Sequence, residues 1–128
     1  MNYQAYQSYH SVNLGAQTAQ ASPVQLVLIL MEGLLEELAR ARAHIAAHRY
    51  EAKANSLNKC VDILNGLVSA LDFEAGGEVV ANLGRLYDYC ASRLSLAGYR
   101  LDVAIVDEVA GLLSTIERGW QEVQSKHG

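Results

Sequence analysis

Apolar residues recur at helical spacing in four successive segments of the chain. The first segment follows Ser22-Pro23, where Ser suits a helix N-cap, Pro suits the first helical position, and Gln25 suits the reciprocal partner of a capping box. This pattern predicts a helix from Pro23 to about Ala47. Its first two turns are apolar on nearly every side, so we expect this helix to be central.

Three further segments show the same three-and-four spacing. Gly76-Gly77 separates the second from the third, the third continues to about Ala97 with Gly98 suited to its C-terminal cap, and Asp102 can cap the fourth. We expect Tyr87 to face the core and Tyr89 to point elsewhere. The apolar positions are Leu57, Cys60, Val61, Leu64, Leu67, Val68 and Leu71; then Val79, Leu83, Leu86, Tyr87, Cys90 and Leu94; and finally Val106, Val109, Ala110, Leu113, Ile116, Trp120 and Val123.

The breaks between the four patterns are short and fall near residues 48–54, 72–77 and 98–102. Sequential helices joined by short loops pack as antiparallel neighbours. The sequence therefore predicts an all-α fold, an antiparallel up-down four-helix bundle over residues 22–128, with Trp120 closing one end beside Ile116 and Val123.

Residues 1–21 form a polar segment rich in Gln, Ser and Ala, which we interpret as a flexible or loosely docked arm. Tyr3, Tyr6 and Tyr9 recur every third residue and would share one side of a folded-back arm. Tyrosines in a polar tail either anchor it on an apolar groove or are incidental to a disordered segment, and the spacing by itself leaves both interpretations open.

Charge and composition exclude several classes of function. The net charge of −4 argues against broad binding to the phosphate backbone of nucleic acids. Residues 40–59 are locally basic, which is most simply a solvated helix end and loop. The most apolar run, Val24–Met31, is too short to span a membrane, and no secretory signal is visible. Cys60 and Cys90 suit a reduced thiol state, so we expect a soluble, cytoplasmic protein.

No catalytic constellation or cofactor site stands out in the sequence. A carboxylate-bridged metal site in a bundle needs Glu-x-x-His pairs, and the chain has none. His44 and His48 lie one turn apart but have no carboxylate between them, so we interpret them as unliganded. Neither cysteine occupies a position that would activate it as a nucleophile. We therefore expect no metal, no cofactor and no enzymatic activity.

Ser22-Pro23 is followed by Gln25-Leu26-Val27, Leu71-Asp72 by Gly76-Gly77-Glu78-Val79, and Asn82-Leu83 by Leu86-Tyr87-Asp88-Tyr89, and Trp120 lies late in the last helix. Together these residues resemble a known family, the flagellin-specific flagellar export chaperones (FliS family). Departures occur at Gln20-Ala21, where the family usually has Thr-Ala, and at Met31-Glu32-Gly33, where it commonly has an aromatic residue first. A principal chaperone and a diverged paralogue are both compatible with these differences.

The resemblance implies that the chain binds the C-terminal segment of flagellin in the cytoplasm, prevents its premature polymerisation and delivers it to the flagellar export machinery. It also implies an arm that can cover part of the client groove, for which Tyr6 and Tyr9 are the matching residues. The alternative is a structural or regulatory bundle that acts through homodimerisation without a role in export. A homodimer is possible under either interpretation.

We predict that the client groove lies on outward-leaning apolar positions of the second and third helices. Ile63 and Leu67 lie beside the densest apolar stripe of the second helix and are the positions most suited to a partner. A broad core stripe that buries both is the competing interpretation. The predicted binding residues are Lys59, Ile63, Leu67, Asn82, Leu86 and Tyr89, with Lys59 at the rim.

Overall fold

The computed structural model describes residues 22–71 and 73–127, without the side chains of residues 73–75 and 127. In this part of the chain α1 contacts α2 and α4, and α3 contacts the same two helices, so the four helices form a closed ring. The predicted all-α four-helix bundle is confirmed, whereas the predicted arm, residues 1–21, lies outside the described residues. The helices are α1 Pro23–Ala46, α2 Tyr50–Ser69, α3 Phe73–Arg100 and α4 Val103–His127.

Both predicted N-caps are confirmed. The Gln25 backbone N–H donates to Ser22 Oγ at 3.1 Å, and the Ser22 N–H donates to Gln25 Oε1 at 2.8 Å, which is a complete capping box. At the start of α4, the Ala104 N–H donates to Asp102 Oδ1 at 2.9 Å. Short polar side chains therefore satisfy backbone donors that the first turns of α1 and α4 leave without partners.

The connection between α1 and α2 is shorter than predicted, because α2 already begins at Tyr50. His48 adopts a left-handed conformation with φ 60°, and the Arg49 N–H donates to the His44 carbonyl oxygen at 2.9 Å. This arrangement ends α1 and reverses the chain within three residues. The predicted break over residues 48–54 is wrong at its C-terminal side.

The third helix has its predicted break but a different end. Gly77 has φ 63° and ψ −143°, a conformation that suits Gly, and it interrupts the helix near its start. The prediction that Gly98 caps α3 is wrong. Gly98 lies inside the helix, where a Cβ atom would come within 2.9 Å of Leu57 Cδ1. The chain leaves α3 through Leu101, which has φ 54°.

Side chains from all four helices form one continuous core. Tyr87 is buried, as predicted. Ile63 and Leu67 are also buried, so the prediction that they lean outward is wrong. The core residues are Met31, Leu34, Leu38, Ala41, Ile45, Leu57, Cys60, Ile63, Leu64, Leu67, Tyr87, Cys90, Leu94, Ala97, Ile105, Val106, Val109 and Leu113.

One end of the bundle is incompletely closed, and we call it the open end. It is the end where α1 and α3 begin and where α2 and α4 finish. The apolar first turns of α1 are only half-buried or exposed up to Leu30, and the first fully buried residue is Met31. Val79, expected on the inward stripe of α3, is 70% exposed. The end of the bundle leaves these side chains without enough neighbours to cover them.

Trp120 lies half-buried towards this open end and packs against the core, as Ile116 does. Its indole Nε1 donates to the Tyr87 hydroxyl oxygen at 3.2 Å. Val123 is exposed, so the prediction that these three residues close the end is correct only in part.

Candidate partner-binding surface

The six predicted binding residues of α2 and α3 do not form one groove. Ile63 and Leu67 are in the core. Lys59 is half-buried and lies two residues, or about 200°, from Leu57, which lines the side of α2 that faces α3. Lys59 therefore lies on the side of α2 that faces away from α3. Only the α3 residues remain together on one accessible face.

Asn82, Leu86 and Tyr89 form a stripe along α3, because their spacings of four and three residues repeat one face of a helix. All three are exposed. The stripe runs on the side of α3 next to α4, since the Tyr89 hydroxyl donates to Glu108 Oε2 at 3.0 Å. The Asn82 side-chain oxygen accepts a hydrogen bond from Arg85 on the same helix.

The α3–α4 groove, as we name the outer surface between these helices, is the best candidate for binding a partner. The α3–α4 interface is the least extensive of the four interfaces in the ring. Leu86 and Tyr89 are exposed along it, and Val79 on α3 and Val123 on α4 extend the apolar surface to the open end. Exposed apolar side chains that follow one another in this way are typical of interaction surfaces.

Val79 and Val123 were not predicted as binding residues, because the sequence assigned both to the inward stripes. Their apolar spacing is the same as that of core residues, and only their positions near helix ends set them apart. A rule that residues within two turns of an open bundle end lose neighbours would have identified both.

An ionic cluster closes the groove on the side away from the open end. Arg93 Nε donates to Glu108 Oε1 at 2.8 Å, while the Tyr89 hydroxyl binds the other carboxylate oxygen. The hydrogen bonds from Arg93 and Tyr89 lower the pKa of the Glu108 carboxyl, and acceptance by Glu108 raises the pKa of the Tyr89 phenol. At neutral pH the cluster therefore holds a carboxylate and a neutral phenol, which orients the Tyr89 ring against α4.

A second groove lies between α2 and α3. It has a volume of about 270 Å³, an apolar floor that includes Leu57, Val61 and Leu94, and a polar rim with Asn58 and Ser95. This space is large enough for one or two side chains of a partner but not for a helix. It is therefore a secondary candidate.

The thiols and imidazoles of the described residues do not form a reactive site. Burial raises the pKa of Cys90 to about 11 and raises that of Cys60 further, so both thiols are neutral at physiological pH. His44 Nδ1 accepts a hydrogen bond from Arg49 Nε at 3.0 Å. Among the side chains that the structure describes, no group of three or more His, Cys, Asp or Glu is arranged to bind a metal ion.

None of the four helices, over the part of the chain that the structure describes, is both long and apolar enough to cross a membrane.

Comparisons with known proteins identify the family. The profile of the family described as Flagellar protein FliS matches residues 3–127. The chain is 39% identical over 119 residues to flagellar secretion chaperone FliSB of Pseudomonas aeruginosa, covering 93% of this chain and 94% of that protein. It is 39% identical over 120 residues to flagellar secretion chaperone FliS of Salmonella typhimurium, covering 93% and 89% of the two chains. The corresponding values for FliS of Bacillus subtilis are 32% over 125 residues, covering 97% and 87%. With a match over nearly its whole length, this chain belongs to the FliS family.

Proposed function

We propose that this protein is a cytoplasmic flagellar export chaperone. It binds the C-terminal segment of flagellin, prevents premature polymerisation and delivers the client to the flagellar secretion apparatus. Membership of the FliS family supports the export role, and the relatives from P. aeruginosa and S. typhimurium carry the name flagellar secretion chaperone. A chaperone of this kind acts by binding and release, so it needs no catalytic residues of its own.

The observation that carries the proposal is the accessible apolar surface along the α3–α4 groove, centred on Leu86 and Tyr89. A client segment that exposes an apolar helical face requires a complementary apolar surface, and a groove between two helices supplies one. Removing both surfaces from water provides the binding free energy. No nucleotide is required for this step.

The mode of recognition that we propose is a client helix lying lengthwise over the α3–α4 groove. Leu86 and Tyr89 contact its apolar face, and Val79 extends the contact to the open end. Asn82 contributes side-chain amide groups at the edge. A segment that is disordered before binding loses conformational entropy when it folds on the groove, which keeps the affinity moderate and allows release.

The arm, residues 1–21, is proposed to act on the same apolar surface through Tyr6 and Tyr9. Both tyrosines lie outside the described residues. Support comes from the family resemblance and from the position of Ser22, where the described chain begins at the open end. Lys59 stays a predicted contact with the client, although it lies on the side of α2 that faces away from α3. Ile63 and Leu67 are not proposed as contacts, because they are buried.

Leu86→Glu tests the groove directly. A charge at the centre of an apolar interface is expected to weaken flagellin binding by at least about tenfold, or roughly 1.4 kcal/mol. Affinity is measured by titration calorimetry with intact flagellin and with flagellin that lacks its C-terminal helical segment. Leu101→Glu is the matched control, because it makes the same change at a residue with 39% exposure, against 38% for Leu86, at the other end of the bundle.

The expected result is a loss of affinity for Leu86→Glu alone, with helical content unchanged in both variants. Equal losses in the two variants, or no loss in Leu86→Glu, would contradict the proposed groove. Unchanged flagellin binding together with dissociation of a dimer would instead favour the structural bundle that acts through homodimerisation. Binding that persists without the C-terminal segment of flagellin would contradict the proposed client segment.

A further inference from the structure

The end of the bundle opposite the open end carries a second surface, which we call the apex and define as residues 47–50 and 99–101. The α1–α2 and α3–α4 connections meet there. Lys53 Nζ donates to the Gly98 carbonyl oxygen at 3.1 Å, which joins the start of α2 to the end of α3. The two connections therefore form one surface rather than two separate loops.

Several residues of the apex are of types that are unfavourable for the backbone conformation at their positions. His48 and Leu101, the two residues at which the connections turn, have φ angles of 60° and 54°, where Gly is the usual residue. Arg49 is the N-cap of α2 and makes no side-chain cap. Ser, Thr, Asp and Asn are preferred at that position, and a positive charge there opposes the helix dipole. Such departures from local preference concentrate at functional sites.

Aromatic and cationic side chains are exposed together at the apex. Tyr50 and Tyr99 are 51% and 88% exposed, and Arg49 and Arg100 are exposed beside them. Tyr and Arg are the residue types that are enriched at the centres of protein interfaces, because each combines a large apolar surface with hydrogen-bond donors. Here they are concentrated at one end of a small domain.

The positive charge of the apex is not neutralised within the described part of the chain. No carboxylate there lies within salt-bridge distance of Arg49 or Arg100. Arg49 Nε binds His44 instead, which leaves the charge in place. The adjoining carboxylates are Glu51, in the first turn of α2, and Asp102, which caps α4. In a chain with a net charge of −4, the apex is a local exception.

We propose that the apex is a docking surface for an acidic surface of a second protein, other than flagellin. Guanidinium groups bind carboxylates through paired, charge-assisted hydrogen bonds, and the tyrosine hydroxyls can add further donors. Two arginines in an acidic chain are too few for a nucleic-acid backbone. The apex lies at the end of the bundle opposite Val79 and Val123, so the second protein binds while the α3–α4 groove holds its client.

The first test uses a capped polyglutamate peptide as the probe. The peptide is titrated into the isotope-labelled full chain at low ionic strength, where screening is weak, and backbone amide shifts are recorded. The largest shifts are expected at Arg49, Tyr50, Tyr99 and Arg100. Shifts spread evenly over all basic residues, or an absence of shifts, would overturn the proposal.

Charge reversal provides the second test. The double variant Arg49→Glu/Arg100→Glu is expected to lose about tenfold in affinity for the peptide, which corresponds to two exposed charge contacts. The matched control is Arg118→Glu/Lys126→Glu, which makes the same change in net charge at exposed residues of α4 near the open end. An equal loss in the control would mean that the peptide responds to net charge alone, which rejects a specific surface.

Two other occupants are distinguished in the same experiments. Binding to phosphatidylserine vesicles in place of the peptide would assign the apex to a membrane surface, and apex-dependent self-association in sedimentation would assign it to a second copy of the chain. Either result overturns the proposal. Flagellin binding by Arg49→Glu/Arg100→Glu is expected to be unchanged. Its loss would assign the apex to the client site, whereas failure of the peptide to bind leaves the proposed client groove unaffected.

Discussion

The hydrogen bond between Trp120 and Tyr87 gives a prediction about what closes the bundle near its open end. Tyr87 is 1% exposed and belongs to the core, and Trp120 Nε1 donates to its hydroxyl oxygen at 3.2 Å. Tyr87→Phe removes the acceptor and leaves the packing of the ring in place. We expect the free energy of unfolding to fall by about 1 kcal/mol, the usual net value of a hydrogen bond between neutral groups.

The expected loss is moderate because Trp120 is only half-buried, so water can reach its N–H group when Tyr87 no longer accepts. A fully buried, unsatisfied donor would cost more, about 1–3 kcal/mol. For a domain of about 100 residues, a loss of 1 kcal/mol lowers the midpoint of thermal unfolding by about 5 °C. Far-UV circular dichroism in urea and on heating measures both quantities.

A double-mutant cycle with Trp120→Phe isolates the hydrogen bond from the packing of the indole. The coupling free energy between the two positions is expected to be about 0.5–1.5 kcal/mol. Tyr89→Phe is the control, since its hydroxyl also makes one hydrogen bond but lies at the surface, where the expected change is within about 0.5 kcal/mol. Additive effects of Tyr87→Phe and Trp120→Phe, or equal effects of the two Tyr→Phe changes, would refute the reasoning.

Two further predictions concern pH and the turns. Burial raises the pKa of the Cys90 thiol from 9.0 to about 11 and raises that of Cys60 further, so the fold favours the neutral thiols. The contribution of Cys90 to stability is fully present below about pH 9 and is lost as the pH rises through 11. Urea unfolding at several pH values should therefore show a shallower loss for Cys90→Ala, and an unchanged pH dependence would contradict this. His48→Gly and Leu101→Gly should each raise the unfolding free energy by about 0.5 kcal/mol through relief of left-handed strain, and thermal midpoints that fall in both variants would contradict this.

Local signals in the sequence were sufficient to predict where α1 and α4 begin and where α3 breaks. Ser22 with Gln25, and Asp102 before α4, act through hydrogen bonds that span three residues or fewer. Gly77 breaks α3 because its backbone conformation suits only glycine well. These features depend on neighbouring residues in the chain, so they could be read without knowledge of the tertiary structure.

The residues that turn the chain after α1 and α3 could not be predicted in the same way. His48 and Leu101 turn the chain in conformations that glycine usually adopts, and nothing in their side chains signals this. Gly98, which does carry the usual signal, is instead used for close packing against Leu57. Packing between α2 and α3 therefore decides which residue ends the helix, against the local preference.

On the predicted partner surface, exposure was predicted correctly for Leu86 and Tyr89 on α3 and wrongly for Ile63 and Leu67 on α2. Ile63 and Leu67 have the spacing of a broad apolar stripe, and whether its edge faces a neighbour or water depends on how the helices pack. Leu86 and Tyr89 are accessible, as predicted, because they lie about 100° and 200° around the helix from Tyr87, which faces inward. Val79 was predicted to face inward but is exposed, since its position near a helix end removes its neighbours.

By itself, the sequence determined the helical fold, the number of helices, the N-caps of α1 and α4, and the inward position of Tyr87 on α3, because periodicity and capping act over one or two turns. The resemblance of its motifs determined the family. Only the tertiary structure decided that the edge of α2 is core, that the α3–α4 interface is the least extensive, and that Arg49 and Arg100 lie at the same end of the bundle. Exposure and proximity depend on which helices are neighbours, and residues far apart in the chain set that arrangement.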